Sequence, residues 1–97
     1  METTNPRFNL GHTCLTRGVN DLVAENLPFA KFVTDCLRKH AMSDWGNLGK
    51  EDVLANERAL VEGSRLFSAY EVDGLPKIWI ITEADRSATT ILFPDEY

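Results

Sequence analysis

From Arg65 onward the chain reads as three short apolar runs cut by turn residues: "RLFSAYEV", "KIWIITE" and "TTILF". Runs of this length, rich in aromatic and β-branched residues and bounded by Gly, Pro, Asp and Ser, are strands. "DGLP" is the turn between the first two. Residues Ala84–Ser87 are the polar turn of a hairpin between the last two, where Asp and Ser bond to nearby backbone amides. Strand alternation then sorts the side chains. Ile78, Ile80 and Thr82 share one face, and Trp79, Ile81 and Glu83 share the other. In the third run, Thr89, Ile91 and Phe93 oppose Thr90 and Leu92. Both faces of this sheet therefore carry large apolar groups. Each needs a cover, supplied by helices on both sides or by a partner chain, a second copy of this one included.

The N-terminal half has the helical period. Asn26 can cap a helix, and Pro28 is tolerated in a first turn. Phe29, Phe32, Val33, Cys36, Leu37 and His40 then form one apolar stripe. Arg38, Lys39 and His40 suit the negative end of that helix. A second helix is predicted from about Lys50 to Glu62, stopped by Gly63, with Glu51 and Asp52 in its first turn. Val53, Asn56 and Leu60 fall on one face of it, with Leu54 and Val61 beside them. Asn56, if buried, must be hydrogen-bonded. "FNLGHTCLTRG" reads as a short strand ended by Gly18, followed by a short helix over about Val19–Glu25. Met1–Arg7 reads as a loose terminus. The order, helices and then an antiparallel meander of three to four strands, predicts a single α+β domain over residues 1–97.

The formal net charge is −5. Met1–Ser43 carries five bases and four acids, near +1, whereas Asp44–Tyr97 carries eleven acids and five bases, or −6. An acidic half of this kind excludes a general nucleic-acid binder, which needs a basic footprint. It suits a solvated surface or a basic partner. No apolar run approaches the roughly 20 residues of a membrane span. The start of the chain lacks a signal-peptide pattern. A cytoplasmic location is expected, with Cys14 and Cys36 as free thiols.

Four sets of residues have the right types for chemistry. His12, Cys14, Cys36 and His40 are two Cys and two His, with positions 36 and 40 on one helix face as in zinc sites. The competing reading is that Cys36 is core, since a free Cys packs as a small hydrophobe. Cys14 could be an activated thiol if His12, two residues away, lowered its pKa. Glu83 and Asp85, completed by Asp44 or Asp52, could hold a divalent ion for a small hydrolase or nuclease. Arg86 beside them favours ion pairing over general-acid work. The last set is aromatic. Trp45, Tyr70 and Trp79, with Ile81, Glu83, Asp85, Arg86 and Leu92, could form an interaction patch. There is no Walker A pattern, no G-x-G-x-x-G and no G-x-S-x-G, and no cofactor is expected.

The run "KIWIITEADRSATTILFPDEY", with "FNLG" at Phe8, "DWGNLGKED" at Asp44, "AN" at Ala55–Asn56 and "AL" at Ala59–Leu60, resembles a family of small proteins of plasmids, phages and integrative elements, labelled "plasmid-related". The resemblance spans Phe8 to Tyr97; "HTC" at His12–Cys14 departs from the family pattern and weakens the zinc reading. What the resemblance implies is a mobile-element setting. There, small accessory proteins bind and block host defences such as restriction or CRISPR complexes. It implies no catalytic residues.

Overall fold

The computed structural model describes residues 6–97. The elements run β1 (His12–Leu15), α1 (Arg17–Glu25), α2 (Leu27–Ala41), α3 (Lys50–Glu62), β2 (Leu66–Tyr70), β3 (Ile78–Thr82), β4 (Ala88–Leu92) and a terminal 3-10 turn (Pro94–Glu96). This is the α+β class, with helices ahead of a meander. Met1–Asn5, most of the predicted loose terminus, lie outside the described residues. Arg7 is tied in, its N–H donating to Ala41 C=O at 2.8 Å.

Two expectations about the first segment are corrected. The sheet is mixed, ordered β1-β4-β3-β2, with β1 parallel to β4. Only β2, β3 and β4 form the antiparallel meander. A parallel neighbour needs a long crossover, and the helices between β1 and β2 supply it. Gly18 does not end the strand. It is the second residue of α1, because the chain turns at Thr16, the N-cap. The Thr16 side chain does not cap its own helix; its hydroxyl donates to Glu96 Oε1 at 2.6 Å. Glu96 Oε2 instead accepts the Gly18 N–H at 3.0 Å. An acid from the far end of the chain thus sits at the positive end of α1, and these bonds hold the Glu96 carboxyl below its ordinary range.

The two main helices form as their caps dictate. Asn26 Oδ1 accepts the Phe29 N–H at 3.0 Å, and α2 buries Phe29, Val33, Cys36 and His40. Helix α3 ends at Gly63, whose left-handed φ of 81° suits a residue without Cβ. Its inward face is the expected one, with Val53 and Leu60 packed against Trp45, Ala59 and Leu66, while the residues beside the stripe face out. Leu54 and Val61 are 64 % and 87 % exposed, while Asn56 and Ala59 are buried. Helix α3 packs beside the edge strand β2 and needs only a narrow contact stripe.

One face of the sheet carries the main core. Tyr70, Ile78, Ile80 and Ile91 pack against Val19, Phe29, Val33 and Cys36 of α1 and α2. A second cluster joins Leu66 to Trp45 and Ala59. No helix among the described residues is long and apolar enough to cross a membrane.

The two edges of the sheet are treated differently. Beside β2, Ala69 N–H donates to Trp45 C=O at 3.3 Å and Asn47 N–H donates to Ala69 C=O at 2.7 Å. Gly46 sits between them at φ 75°, where any Cβ would collide with the Ala69 carbonyl and the Tyr70 ring. Next along the same edge, Asn56 does the work of a strand. Its Nδ2 donates to Phe67 C=O at 2.6 Å, and its Oδ1 accepts the Phe67 N–H at 3.0 Å. This is the partner required of a buried Asn. It also closes an edge that would otherwise template aggregation. Replacing Asn56 by Leu strips both Phe67 groups of their partner. Each unsatisfied group costs about 1–3 kcal/mol. The Asn56→Leu protein should lose roughly 2–4 kcal/mol in urea unfolding and aggregate more readily.

Candidate functional site

The hairpin loop of the "EADRS" stretch is a brace. Arg86 sits at φ 62°, uncommon for a residue with Cβ. Its guanidinium donates to Ser64 C=O at 2.6 Å and Ala59 C=O at 3.1 Å, with longer bonds to Glu83 and Ala84 carbonyls. Ala59 and Ser64 lie at the C-terminal end of α3, which has no basic residue in its own last turn. Arg86 therefore supplies a cation where the helix dipole favours one, and it stacks over the Phe8 ring. The expected pairing of Arg86 with Glu83 and Asp85 does not form; the one ion pair among the described residues is Arg38–Asp35. Asp85 accepts from its neighbour Ser87 at 3.0 Å, which holds its carboxyl low. Asp44 accepts from Gly46 N–H at 3.3 Å, and Asp52 stands in the first turn of α3. Among the described residues no three acids, Cys or His come together to hold a metal ion. The proposed carboxylate centre is thus dispersed. Arg86→Ala should cost roughly 2 kcal/mol in urea unfolding, and Arg86→Lys most of that, since an ammonium cannot fork between two carbonyls.

The zinc set is also broken up. His12 and Cys14 are exposed on β1, while Cys36 and His40 are in the core. Burial pushes the Cys36 thiol up to about 12. Both ring nitrogens of His40 are already committed: Nδ1 lies 2.6 Å from Ser68 Oγ and Nε2 2.8 Å from Thr82 Oγ1. The file continues from Thr82 to Thr89 at 2.8 Å, and Thr89 donates to Leu10 C=O at 2.7 Å. That last carbonyl can only accept, which directs the file back as far as Nε2 of the ring. Thr89 donates to Leu10, so Thr82 donates to Thr89. Thr82 must then accept from His40 Nε2–H, whereas the Ser68 hydroxyl is able to donate to Nδ1 or to accept from it, so the charge of the ring is set by its surroundings. Burial disfavours the imidazolium, so Nδ1 is bare and accepts the Ser68 hydroxyl, and His40 is a neutral imidazole and not the helix-end cation suggested by its position.

The surroundings of the imidazole agree with its neutral form. Phe8 and Trp45 meet the ring edge-on at 5.4 and 5.5 Å. Ser68 and His40 are within hydrogen-bond reach, as a nucleophile and base would be, but both are 0 % exposed and no substrate can reach them. Burial lowers the His40 pKa from 6.5 to about 4. The unfolded chain takes up this proton first, so the stability contribution is complete above pH 6.5 and is lost as pH falls towards 4. The whole loss is about 3 kcal/mol. Glu96 and Asp85, whose ordinary values are 4.5 and 3.8, act lower. Unfolding free energy should therefore already slope downward between pH 6.5 and 5. His40→Gln should flatten that slope.

The other face of the sheet is built differently. Phe67 of β2, Trp79 and Ile81 of β3, and Thr90 and Leu92 of β4 point away from the core face, and no helix among the described residues packs over them. The terminal turn brings Tyr97 across instead. Its ring meets Trp79 at 5.9 Å, Phe67 meets Trp79 edge-on at 5.1 Å, and the Arg65 guanidinium lies over Tyr97 at 5.7 Å. Ile81 and Leu92 are covered beneath this group, whereas Tyr97 is 68 % exposed. Two shallow depressions of about 250 and 220 Å³ remain, bordered by Arg65, Ile81, Glu83 and Tyr97.

Of the aromatic patch expected from sequence, only the Trp79 part lies here. Trp45 is 4 % exposed in the second core cluster, with Nε1 donating to Glu57 at 3.0 Å. Tyr70 is 3 % exposed on the helix side, its hydroxyl donating to Asp44 C=O at 2.6 Å. Asp85 and Arg86 belong to the brace. Arg65, Phe67 and Tyr97 complete the open face. Alternation in "RLFSAY" places Arg65 and Phe67 together, and the pairing of Phe67 with Ile81 sets them beside "WII". Comparison with protein-family models, with curated proteins and with solved structures finds no match to this chain.

Proposed function

We propose that this is a non-enzymatic binding protein of a mobile element, acting in the cytoplasm, that docks through the open sheet face onto a basic surface of a host defence complex and blocks it. The observation that carries the reading is the one-sided cover of the sheet. Helices α1 and α2 cover one face of the sheet and α3 lines its β2 edge, while Phe67, Trp79 and Tyr97 stand over Ile81 and Leu92 on the other face. Aromatic side chains beside an Arg are the groups that anchor protein interfaces. A net charge of −5 favours approach to a basic partner. The mobile-element setting and the restriction or CRISPR type of target come from the resemblance of the "WIITEADRSATTILFPDEY" run to plasmid-related proteins. The scattered carboxylates and the sealed Ser68–His40 pair favour binding over hydrolysis.

The same face could take a second copy of the chain, and the test separates the two. Expression in cells carrying a restriction or CRISPR system should restore transformation by a targeted plasmid. Trp79→Ala and Phe67→Ala should each weaken binding by at least about 30-fold, the scale of an aromatic hot spot, and abolish that protection while the proteins remain folded by circular dichroism. Unchanged defence activity, with no partner recovered from host lysate, would sink the reading. A dimer by light scattering that Trp79→Ala splits would assign the face to a homodimer instead.

A further inference from the structure

A second surface stands apart from the open sheet face. Between α1, the β2–β3 connection and the terminal turn lies an open groove of about 650 Å³. Leu22, Pro76, Phe93 and Pro94 give it apolar walls. Its charged lining is lopsided, with Asp21, Glu25 and Asp95 against Lys77 alone. All three acids are exposed, and none is ion-paired. Two of them lie on α1. Asp21 and Glu25 are four residues apart on α1, where like charges repel. Glu25 is its last residue, at the negative end of the dipole, with no base in that turn. Exposed acids around an apolar groove make it complementary to a ligand that is both apolar and cationic.

We infer that this groove binds a segment of a partner protein that presents an apolar or aromatic side chain flanked by basic residues. The apolar walls take the side chain and the acids take the flanking cations. The same charge turns away nucleic acid and anionic lipid. A groove with acids on both α1 and the terminal turn fits cations on both sides of the anchor. The inference does not depend on any occupant of the sheet face.

The probe is a fluorescein-labelled peptide with one Phe between Arg pairs, titrated with the whole protein by fluorescence anisotropy. Two control peptides carry Glu in place of Arg, or Gly in place of Phe. The Arg–Phe peptide should saturate the protein, the controls should not, and amide chemical shifts should move at Leu22 and Phe93. The combined Asp21→Asn, Glu25→Gln and Asp95→Asn variant should weaken binding roughly tenfold, as should raising salt from about 50 to about 500 mM. Lys77→Gln should tighten it. Trp79→Ala should leave it unchanged, which keeps this result separate from that for the sheet face. Failure to saturate, indifference to the triple variant, or equal binding of the Phe-less peptide overturns the inference. So does full displacement by spermidine, which has the charge without the apolar group.

Discussion

A single file of hydrogen bonds runs through the middle of this protein, and most of the fold is tied to it. Ser68, His40, Thr82, Thr89 and the Leu10 carbonyl are linked by contacts of 2.6 to 2.8 Å. The file joins β2, α2, β3, β4 and the segment before β1. Each of its polar atoms would be costly if unpaired in the core. The whole file is satisfied only when α2 and three strands hold their native places together. It therefore specifies registration in a way that Ile and Val contacts, which tolerate sliding, do not. Its direction is set at one end by a carbonyl, which places a proton on Nε2 of His40, and burial keeps the ring neutral.

Around this centre the sheet is finished unevenly. At the β2 edge, Asn56 and the Trp45–Asn47 backbone fill the missing hydrogen bonds. On the helix side, two clusters close over the strands. On the far side, cover comes only from side chains and from Tyr97, folded across the strands by the terminal turn. Glu96 anchors that turn to the start of α1, so one end of the chain helps to cap the first helix and to shield the last strands. Evenly apolar strands with uneven cover are the reason the far face is proposed as the place for a partner.

The elements themselves were legible in the sequence. The α2 stripe, the Gly63 stop, the strands and the Ala84–Ser87 turn all follow from local periods and turn chemistry, and local physics produces them. That Asn56 would need a partner if buried was legible too, but not the burial itself or the identity of that partner. The misreadings share one cause. Arg86 looked like a mate for the carboxylates beside it, yet its guanidinium reaches the end of α3, 27 residues away in sequence at Ala59. His40 and Cys36 had the types and spacing of ligands, but Cys36 also read as core, and the core that surrounds them holds both neutral. Trp45 and Trp79 looked alike, yet one is sealed against His40 and the other lies on the open face.

By itself the sequence determined the helices, the strands, the faces of each strand and the acidic balance of the second half. These depend on neighbours within a few residues, where spacing translates directly into geometry. Tertiary structure alone decided that β1 joins the sheet parallel to β4, that Arg86 serves a helix end, and that α1 and α2 cover one face of the sheet, α3 lines its β2 edge, and the other face is left to Trp79 and Tyr97. Those outcomes depend on which distant segments meet. A pattern of apolar residues states that a face must be covered, but carries no information about what covers it.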